Sequence, residues 1–526
     1  MSTATDNYEM IRLDGISFAY QAESRFIENL SFSIQRGERV CLLGRNGSGK
    51  STLLRLIAGL LDPTAGEIFV NGVSTTDHKR QRELRRQIGF IFQNPEDQII
   101  STTVETDIAF ALENFGVAQD IMRREVGEYA DRFELTELLH RHPLTLSAGE
   151  KQRTALASVM VVQPQVLLLD EPTSFLDYRG RQRLLATAFS ERSYTIVGAT
   201  QYAQEVKQYD RVVFLDQGRL LFIGSNDEFA QTEHWKQMTT TASAHASPRR
   251  QDSHPDGNWL GGPPSGKDSR RRRNTLVDAG SSHVRGTRLE MCNMSFGYSH
   301  GQRVIDGLSM GVSPGRITVV MGDSGCGKTT LALLLAGLVK PSTGEIRMGG
   351  EEVSVKELSR QVAVLFQFPE TGFFADSVRE EVAFGIRDLP LNSKEIEQKV
   401  RRALNMVGLD FDTFASRNPF LLSAGERRRI AIASALIMER PTILFDETTL
   451  GLDWEGRRTI VRLLRDMRDS GMTIVLMTHD VEFAAKTADD IVLMDRGVVV
   501  WQGAIDAPDL PQQFIVDHLG VKTLAG

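Results

Sequence analysis

The ten residues LGRNGSGKST, Leu43 to Thr52, decide how the first part of the chain folds. A short apolar run, RVCLLG, precedes the glycines, and the stretch TLLRLIAGL that follows has apolar residues at helical spacing. The pattern predicts a strand, a glycine-rich turn and a helix. The turn has the order G-x-x-x-x-G-K-S from Gly44 to Ser51, which predicts a loop whose backbone N–H groups surround a phosphate.

A second copy of this loop, MGDSGCGKTT, lies at Met321 to Thr330. Lys328 corresponds to Lys50, and the other matching motifs follow in the same order with nearly the same offset. A repeat of this size indicates two domains of one fold, and we expect them at residues 8–235 and 287–526. The other repeated motifs are FIFQNPE (90–96) with VLFQFPE (364–370), LSAGE (146–150) with LSAGE (422–426), and LLLDEPTSFLD with ILFDETTLGLD.

Composition narrows the class of protein. The 526 residues carry 61 Lys and Arg against 68 Asp and Glu, a net charge of −7, and 41% are hydrophobic. These values are typical of globular domains, and the acidic balance gives no general reason to expect nucleic-acid binding. No apolar run approaches the roughly 18 to 20 residues that cross a bilayer, so we expect a soluble, unsecreted chain. Three scattered cysteines predict neither a disulfide framework nor a zinc site.

The segment between the copies, residues 236–286, is predicted to be a disordered basic linker. It is rich in Ser, Thr, Pro, Gly and Arg and carries nine Lys and Arg against four Asp and Glu, including the run Arg270 to Arg273. Such a composition buries too little apolar surface to offset the entropy of ordering. A solvated spacer is the simpler interpretation, and binding of the arginines to anionic lipid or RNA is the alternative.

Two further residue types complete the phosphate chemistry. In the loops, Lys50 and Lys328 are placed to reach the β- and γ-phosphates. Further along, each copy has an apolar run that ends in two acids, Asp170–Glu171 and Asp446–Glu447. A buried parallel strand ending there places the first carboxylate near Mg²⁺ and the second near the attacking water.

Together, the phosphate loops, glutamines, LSAGE motifs, acidic pairs, the loops with Asp177 and Asp453, and the terminal histidine resemble the ATP-binding cassette (ABC) ATPases. The resemblance implies an α/β fold with two RecA-like P-loop NTPase domains, each with a β-subdomain and a helical signature subdomain. It also implies ATP and Mg²⁺ as cofactors. The implied catalytic residues are Glu171, Gln201, Glu447 and His479; the implied Mg²⁺ ligands, with ATP phosphates, are Ser51, Gln93, Asp170, Thr329, Gln367 and Asp446.

The same resemblance implies that two ATP molecules are held between the copies, each by one copy's phosphate loop and the other copy's signature. Tyr20 and Tyr298 lie where the family stacks an aromatic ring on adenine. The remaining implied ATP-binding residues are Gly44, Asn46, Gly47, Gly49, Lys50, Thr52, Ser147 and Gly149 in the first copy, and Gly322, Ser324, Gly325, Gly327, Lys328, Thr330, Ser423 and Gly425 in the second.

The copies differ at one implied catalytic position. His479 in MTHD corresponds to Gln201 in ATQY, at the same offset in the repeat as the two lysines. In the family, this histidine contacts the γ-phosphate. Glutamine forms hydrogen bonds but cannot become cationic. We therefore predict that the site built on Lys328 hydrolyses ATP faster than the site built on Lys50.

The segments after each glutamine, residues 94–116 and 368–385, resemble the ATPases of energy-coupling factor (ECF) transporters. They imply a vitamin or metal-ion importer whose partners are a transmembrane scaffold subunit and a substrate-binding membrane subunit, at the cytoplasmic face of the cell membrane. Acids in these segments predict charge complementarity with arginine-bearing coupling helices. Two alternatives stay open: a soluble tandem cassette acting on ribosomes or DNA, and a nucleotide-gated clamp without turnover. The acids are Glu96, Asp97, Glu105, Asp107, Glu113, Glu370, Asp376, Glu380 and Glu381.

Overall fold

A computed structural model describes residues 8–21, 24–190, 193–239, 287–298, 303–448 and 451–511. The first half (residues 8–239) and the second half (residues 287–511) repeat one architecture: a small antiparallel sheet, a larger mixed sheet and flanking helices. This arrangement confirms the predicted α/β fold with two P-loop domains.

The strands of the first half form two sheets, in the orders β2-β1-β4-β5 and β10-β9-β3-β8-β7-β6 once numbered along the chain. They are β1 Glu9–Gln21, β2 Ser24–Gln35, β3 Arg39–Gly44, β4 Ala65–Val70, β5 Val73–Ser74, β6 Ile88–Ile91, β7 Val166–Asp170, β8 Thr195–Ala199, β9 Arg211–Asp216 and β10 Arg219–Ser225. The helices are α1 Lys50–Ile57, α2 Gln81–Gln87, α3 Val104–Phe115, α4 Gln119–Arg132, α5 Ala148–Met160, α6 Tyr178–Ala188, α7 Ala203–Val206, α8 Asn226–Ala230 and α9 Glu233–Thr239.

The second half repeats this order, with sheets β12-β11-β14-β15 and β16-β17-β18-β13-β19-β20. Its strands are β11 Leu289–Phe296, β12 Ile305–Val312, β13 Ile317–Met321, β14 Thr343–Met348, β15 Glu351–Glu352, β16 Val362–Leu365, β17 Thr442–Asp446, β18 Thr473–Met477, β19 Asp490–Asp495 and β20 Val498–Ala504. Its helices are α10 Lys328–Leu335, α11 Val355–Gln361, α12 Val378–Ala383, α13 Ser393–Met406, α14 Phe411–Phe414, α15 Ala424–Leu436, α16 Trp454–Asp469 and α17 Val481–Thr487.

The pattern of burial explains which sheet each strand joins. Strands β7 and β17 are buried at every residue and pair in parallel with both neighbours, as expected for strands covered on both faces. In β1, by contrast, Ile11 and Leu13 are buried while Arg12 and Asp14 are exposed, which is the alternation of an antiparallel sheet with one covered face. Asp170 and Asp446 are the last residues of β7 and β17, so the larger sheet of each half places its acidic pair at the carboxyl end of a buried strand.

The two halves pack against each other through the start of α16. Trp454 packs on the hydrophobic core of the first half, and its ring centroid lies 6.3 Å from that of Phe214. The guanidinium of Arg458 donates a hydrogen bond to the carbonyl oxygen of Gln237 at 2.5 Å, at the end of α9. Helix α16 thus belongs to one half by sequence and contacts both.

The linker prediction is only partly within the described residues. Helix α9 extends past residue 236, where we placed the domain boundary, and Met238 is buried. The rest of the predicted linker, residues 240–286, and the end of the second domain lie outside the described residues. Within the described ranges, no helix has both the length and the apolar character needed to cross a bilayer.

Candidate nucleotide-binding sites

The two phosphate loops have nearly the same local geometry. Each lysine folds back on its own loop: Lys50 Nζ donates to the carbonyl oxygens of Gly44 at 2.9 Å and Arg45 at 3.1 Å, and Lys328 Nζ donates to those of Gly322 at 2.8 Å and Asp323 at 2.9 Å. Both lysines are buried. The ammonium groups are thereby held beside the loop, where a phosphate chain is expected.

Glycine permits the backbone turn that begins each helix. Gly49 and Gly327 cap α1 and α10 in the left-handed region, at φ 104° and 105°. A side chain at either position is strained, because L-residues seldom adopt that conformation. At Gly47 and Gly325, an added Cβ would meet no described atom within 4 Å, so the loops leave open space above them.

The acidic pairs lie beside the loops, as predicted. The hydroxyl of Ser51 donates to Asp170 Oδ1 at 2.8 Å, and the hydroxyl of Thr329 lies beside Asp446, where it acts to lower the pKa of that carboxyl. Burial raises the pKa of Asp170 and of Asp446 to about 6; in each, the hydroxyl hydrogen bond lowers the pKa and the adjacent glutamate raises it. Both carboxylates therefore bear a desolvation cost that a cation offsets.

The second acid of each pair occupies a strained backbone conformation. Glu171 has φ 47° and Glu447 has φ 51°, in a region that non-glycine residues seldom adopt. Their backbone N–H groups donate to Ala199 O at 3.1 Å and Met477 O at 2.9 Å on the neighbouring strands. Strained residues of this kind are common at active sites, where the surrounding structure holds them in place.

The contacts of these two glutamates differ. Glu171 Oε2 accepts from Gln93 Nε2 at 3.3 Å, from Gln201 Nε2 at 2.6 Å and from Ser174 Oγ at 3.2 Å. In the second half, His479 Nδ1 lies 2.9 Å from Glu447 Oε1. Glu447 Oε2 is buried and has no hydrogen-bond partner among the described residues, while Gln367 is exposed.

The predicted adenine-stacking tyrosines are exposed and lie over the start of the loop helices. The Tyr20 hydroxyl is 2.9 Å from Thr52 Oγ1, and the Tyr298 hydroxyl is 3.2 Å from Thr330 Oγ1. Their edges pack on Phe18 and Phe296, at centroid distances of 4.8 and 5.0 Å. Each ring therefore presents a face outside the core, next to the phosphate loop of its own half.

The signature serines begin helices α5 and α15, as their sequence predicts. Ser147 caps α5: its hydroxyl donates to Glu150 Oε2 at 2.8 Å and accepts from the Glu150 N–H. Ser423 and Glu426 repeat the arrangement, with the hydroxyl donating at 2.7 Å. This reciprocal pair is a capping box. Sequence reasoning missed the role of these glutamates, although the S-x-x-E pattern before a helix was available as a signal.

Contacts between the halves join each phosphate loop to the aspartate loop of the other half. The N–H of Asn46 donates to Asp453 Oδ2 at 2.8 Å, and the N–H of Ser324 donates to Asp177 Oδ2 at 3.0 Å. Burial acts to raise the pKa of Asp177, but the hydrogen bonds from the Gly180 and Ser324 amides hold it below its ordinary value. The halves thus pair head to tail in a reciprocal way.

Asn46 also connects the first phosphate loop to Gln201, the residue that corresponds to His479 in the second half. Gln201 Nε2 donates to Asn46 Oδ1 at 3.1 Å, and Asn46 Nδ2 donates to Gly451 O at 2.9 Å. One side chain therefore contacts both the first half and the second. The loop residue at the matching position of the second half is Ser324, which is shorter.

Two of the acids assigned to partner binding are not surface charges, and that part of the prediction is wrong. Asp107 is buried and accepts from Ile100 N at 3.0 Å, Ser101 N at 3.1 Å and Ser158 Oγ at 2.9 Å. Glu381 is buried likewise and accepts from the N–H groups of Phe374 and Ala375, both at 3.0 Å. These carboxylates order the loops before α3 and α12.

Other acids of these segments are paired within the chain. Glu96 contacts Lys151, and Glu370 contacts the buried Arg428 at 3.2 Å. Arg428 also donates to the carbonyl oxygen of Thr448 at 2.8 Å, which links the signature helix to the acidic pair. Asp97, Glu380 and Glu113 are exposed.

Comparison with known proteins agrees with this geometry. The ABC transporter family model matches residues 27–174 and 305–450, so both halves are covered and each match includes the phosphate loop, signature and acidic pair. The chain belongs to the ABC transporter family. It is an ATP-hydrolysing enzyme with two ABC ATPase domains, and ATP is its nucleotide.

Relatives share this organisation over nearly the whole chain. An ABC transporter ATP-binding protein of Bifidobacterium longum is 32% identical over 94% of this chain, which spans 66% of the relative's length. A second, from Methanosarcina acetivorans, is 30% identical over 96% of this chain and 87% of its own. YkoD of Bacillus subtilis, whose name describes an HMP/thiamine import ATP-binding protein, is 28% identical over 93% of this chain and 91% of its own.

Among solved structures, CbiO1 from Clostridium perfringens, described as part of the ABC transporter complex CbiONQ, matches one half. It covers 44% of this chain and 96% of its own, with 30% sequence identity and a TM-score of 0.40.

Proposed function

We propose that this ABC ATPase is the energy-coupling component of an ECF-type importer for a vitamin or a metal ion. The observation that carries the proposal is a matched pair of apolar surfaces, one on each half, directly after the glutamines Gln93 and Gln367. Ile100 and Phe374 are 65% and 57% exposed, and they occupy matching positions in the two copies of the repeat. Equivalent exposed apolar residues on the two halves fit two equivalent contacts with a partner.

The buried acids explain why these residues project outward. Asp107 accepts from the N–H of Ile100, and Glu381 accepts from the N–H of Phe374, so each loop is fixed at the residue it presents. Phe374 also packs on the partly exposed ring of Phe384, at a centroid distance of 4.4 Å. Rigid presentation lowers the entropy cost of binding a partner.

Each apolar residue has exposed acids nearby in sequence. Asp97 precedes Ile100, and Glu380 follows Phe374. An apolar contact rimmed by acids favours a partner helix that carries both apolar and basic side chains. We therefore propose that a transmembrane scaffold subunit docks one helix on each half, with a separate membrane subunit binding the substrate.

For the chemistry, we propose that two ATP molecules bind between the halves, with Mg²⁺. Asp446 Oδ1 is buried and has no hydrogen-bond partner among the described residues, and the Thr329 hydroxyl lies beside Asp446, so these oxygens fit a divalent cation. Among the described residues, no group of three His, Cys, Asp or Glu side chains could hold a metal by itself. We propose that phosphate oxygens of ATP and water molecules complete the coordination of the cation.

The proposed catalytic step follows from the positions of Glu447 and His479. Glu447 Oε2, which has no hydrogen-bond partner in the part of the chain that the structure describes, can accept a hydrogen bond from a water molecule, which would attack the γ-phosphate. His479 holds the other carboxylate oxygen and fixes its orientation. Mg²⁺, when bound, neutralises developing phosphate charge. Binding of ATP would close the halves and hydrolysis would release them, which moves the membrane partners at the cytoplasmic face of the membrane.

The name of YkoD, with its reference to HMP/thiamine import, supports an importer of a vitamin precursor. We propose domain boundaries near residues 8–235 and 287–526, with residues 236–286 as the linker between the cassettes.

The test is affinity purification of the full chain from native membranes in mild detergent. We expect small hydrophobic subunits to co-purify, and we expect Ile100→Glu with Phe374→Glu to abolish this without lowering basal ATPase activity. Leu221→Glu, at an exposed leucine on β10, is the matched control. Recovery of ribosomes or DNA in place of membrane subunits, or retention of the subunits by the double variant, contradicts the proposal.

A further inference from the structure

A cavity of about 180 Å³ lies between the halves, behind the nucleotide sites. We call it the interface cavity. Its walls come from the start of α6, from α16 and α17, and from the last residues of α9, including Met238 and Thr239. No phosphate-loop residue lines it, but Gln201 and His479 lie at its edge. The cavity therefore adjoins both nucleotide sites and shares one residue with each of them, Gln201 with the first and His479 with the second.

The lining of the interface cavity is strongly basic. Five cationic side chains face two carboxylates, those of Asp480 and Glu482. Asp480 accepts from Arg457 at 2.6 Å, and Glu482 contacts Lys486. The other cations are Arg181, Arg458 and Arg465.

These three arginines donate to backbone carbonyl oxygens instead of carboxylates. Arg181 Nε donates to Leu176 O at 3.1 Å, Arg458 to Gln237 O at 2.5 Å and Arg465 to Lys486 O at 2.7 Å. A carbonyl oxygen orients a guanidinium but does not neutralise its charge, and each guanidinium has five N–H donors. The charge of Arg181 is partly balanced by Asp480 and the buried Glu205, so Arg458 and Arg465 supply most of the positive potential. The cavity thus keeps a positive potential and donors that remain for an anion.

The internal repeat shows that the fold does not require three of the five cations, whereas the other two, Arg181 and Arg457, occupy matching positions in the two copies. Residues at the matching positions of the first half are Gln182 for Arg458, Phe189 for Arg465 and Gln208 for Lys486. All three are uncharged, and Phe189 is buried in the core of its own half. Arg458, Arg465 and Lys486 are therefore cations that only the second half carries at these positions.

The walls also offer apolar and aromatic surface. Trp454, Phe483 and Met238 contribute to the lining. The ring of Tyr202 lies between two guanidinium groups, with Arg181 at 4.1 Å and Arg457 at 5.0 Å from its centroid. A ligand that fits must combine acidic groups with a planar or apolar body, and the volume restricts it to a size well below that of a typical drug-sized ligand.

We propose that the interface cavity binds a small organic anion bearing one or two carboxylate or phosphate groups, and that this ligand stabilises the paired arrangement of the halves. The cations come from both halves, so the ligand binds only when they are together. By linkage, it favours the state that holds ATP and raises the apparent affinity for nucleotide. This regulation is additional to the proposed transport function and does not depend on the identity of the cargo.

The test uses the full chain, a non-hydrolysable ATP analogue with Mg²⁺, and two probes at constant ionic strength. Phthalate carries carboxylates, phenylphosphonate carries a phosphorus oxyanion, and benzamide is the uncharged aromatic control. We expect one of the two anions, at millimolar concentration, to raise the Tm by about 2 to 4 °C and to lower the nucleotide concentration for half-saturation severalfold. The more effective probe identifies the acidic group.

Variants that introduce the residues of the first half provide the controls. Arg458→Gln with Arg465→Phe should abolish both effects, and Lys486→Gln alone, which is the milder change, should reduce them by at least half. Arg183→Gln removes an exposed arginine outside the cavity and should leave them intact. Three results overturn the proposal: no shift with either anion, an equal shift with benzamide, or an undiminished shift in the double variant. A Tm shift without any change in nucleotide affinity refutes the coupling.

Discussion

The two nucleotide sites are built from nearly the same parts, and they differ at the residue that contacts the second acid. In the first site, built on Lys50, three side-chain donors converge on Glu171 Oε2, and Lys50 Nζ lies 3.8 Å from Oε1. In the second site, built on Lys328, His479 contacts one oxygen of Glu447 and the other has no partner among the described residues.

This difference is expected to affect hydrolysis of ATP in the two sites more than binding of ATP. A carboxylate oxygen that already accepts three hydrogen bonds is less available to a water molecule, so in Glu171 only Oε1, beside Lys50 Nζ, remains to accept one. The lysines, hydroxyls and aspartates that we propose bind phosphate and metal are alike in the two sites. We infer that both sites bind nucleotide and that hydrolysis is concentrated in the second.

The difference extends one residue further along the chain. Tyr202 follows Gln201 and packs beneath Arg181, whereas Asp480 follows His479 and forms an ion pair with Arg457 at 2.6 Å. Burial acts to raise the pKa of Asp480, but the charge of Arg457 holds it below its ordinary value. Asp480 therefore stays ionised and anchors the start of α17 beside His479.

The largest expected effect is at the second acid. The substitution Glu447→Gln removes the carboxylate that we propose accepts the proton of the attacking water. Steady-state ATPase activity should therefore fall by about 100-fold or more. Glu171→Gln, the matched variant, should cost less than about threefold, because Glu171 contributes little turnover. Phosphate release at saturating ATP measures both. Similar losses in the two variants would show that the sites are equivalent.

The next effect concerns the histidine position itself. His479→Gln gives the second site the residue of the first and should lower turnover by roughly 10- to 100-fold, with a small change in KM. The reverse exchange, Gln201→His, is made in the Glu447→Gln background, where the first site supplies the remaining activity. There we expect an increase of up to about tenfold. An unchanged rate would mean that Asn46 or the saturated carboxylate, and not the missing imidazole, limits the first site.

The sequence predicted the fold and the constituents of both sites because these depend on local patterns. A glycine-rich turn between a buried strand and a helix has few alternatives, and its recurrence with the same flanking pattern indicated the number of domains. Substitution of His479 by Gln201 was visible in the same way. The nucleotide roles of these residues stay predictions, tested by the variants described here.

Other features depend on contacts between distant residues and were not visible. Nothing in the sequence distinguishes Asp107, which orders a loop, from Asp97, which is exposed, because both follow the same glutamine in an acidic segment. The convergence of three donors on Glu171 depends on side-chain packing across the sheet. The interface cavity is formed by both halves together, so no local pattern could indicate it.

The glutamates of the two LSAGE motifs, Glu150 and Glu426, provide a further comparison of the two sites. In the proposed sandwich, Glu150 belongs to the second site and Glu426 to the first. Each accepts the serine hydroxyl hydrogen that a γ-phosphate would otherwise receive, and each adds negative charge next to it. Glu150→Gln should therefore lower the KM for ATP by about three- to fivefold. Glu426→Gln should leave KM nearly unchanged, since the first site contributes little turnover.

Binding assays supply the control for this pair. Both variants should increase nucleotide affinity when saturation is followed by thermal stabilisation with a non-hydrolysable analogue, because both sites bind. If either variant instead binds nucleotide more weakly, the glutamate contributes to binding by holding the start of the signature helix, and its negative charge does not weaken the binding of phosphate. The backbone N–H of Ser147 or Ser423 donates to this carboxylate, so it is the group that would lose its hydrogen-bond partner.

The smallest expected effect is one on which the two sites agree. Burial raises the pKa of Asp170 and of Asp446 to about 6, so both carboxylates lose their charge between pH 7 and 5. Because the folded-state pKa values lie above those of the unfolded chain, these two carboxyls stabilise the nucleotide-free protein increasingly as the pH falls from about 6 towards 4, while carboxyls with lowered pKa values such as Asp177 act in the opposite direction. The metal needs the ionised form, so at pH 5.5 its contribution to nucleotide affinity should fall about fourfold in each site. Titration of analogue binding with Mg²⁺, against the same titration in a chelator, measures the difference; a Mg²⁺ effect that persists unchanged at pH 5.5 would place the cation away from these two carboxylates.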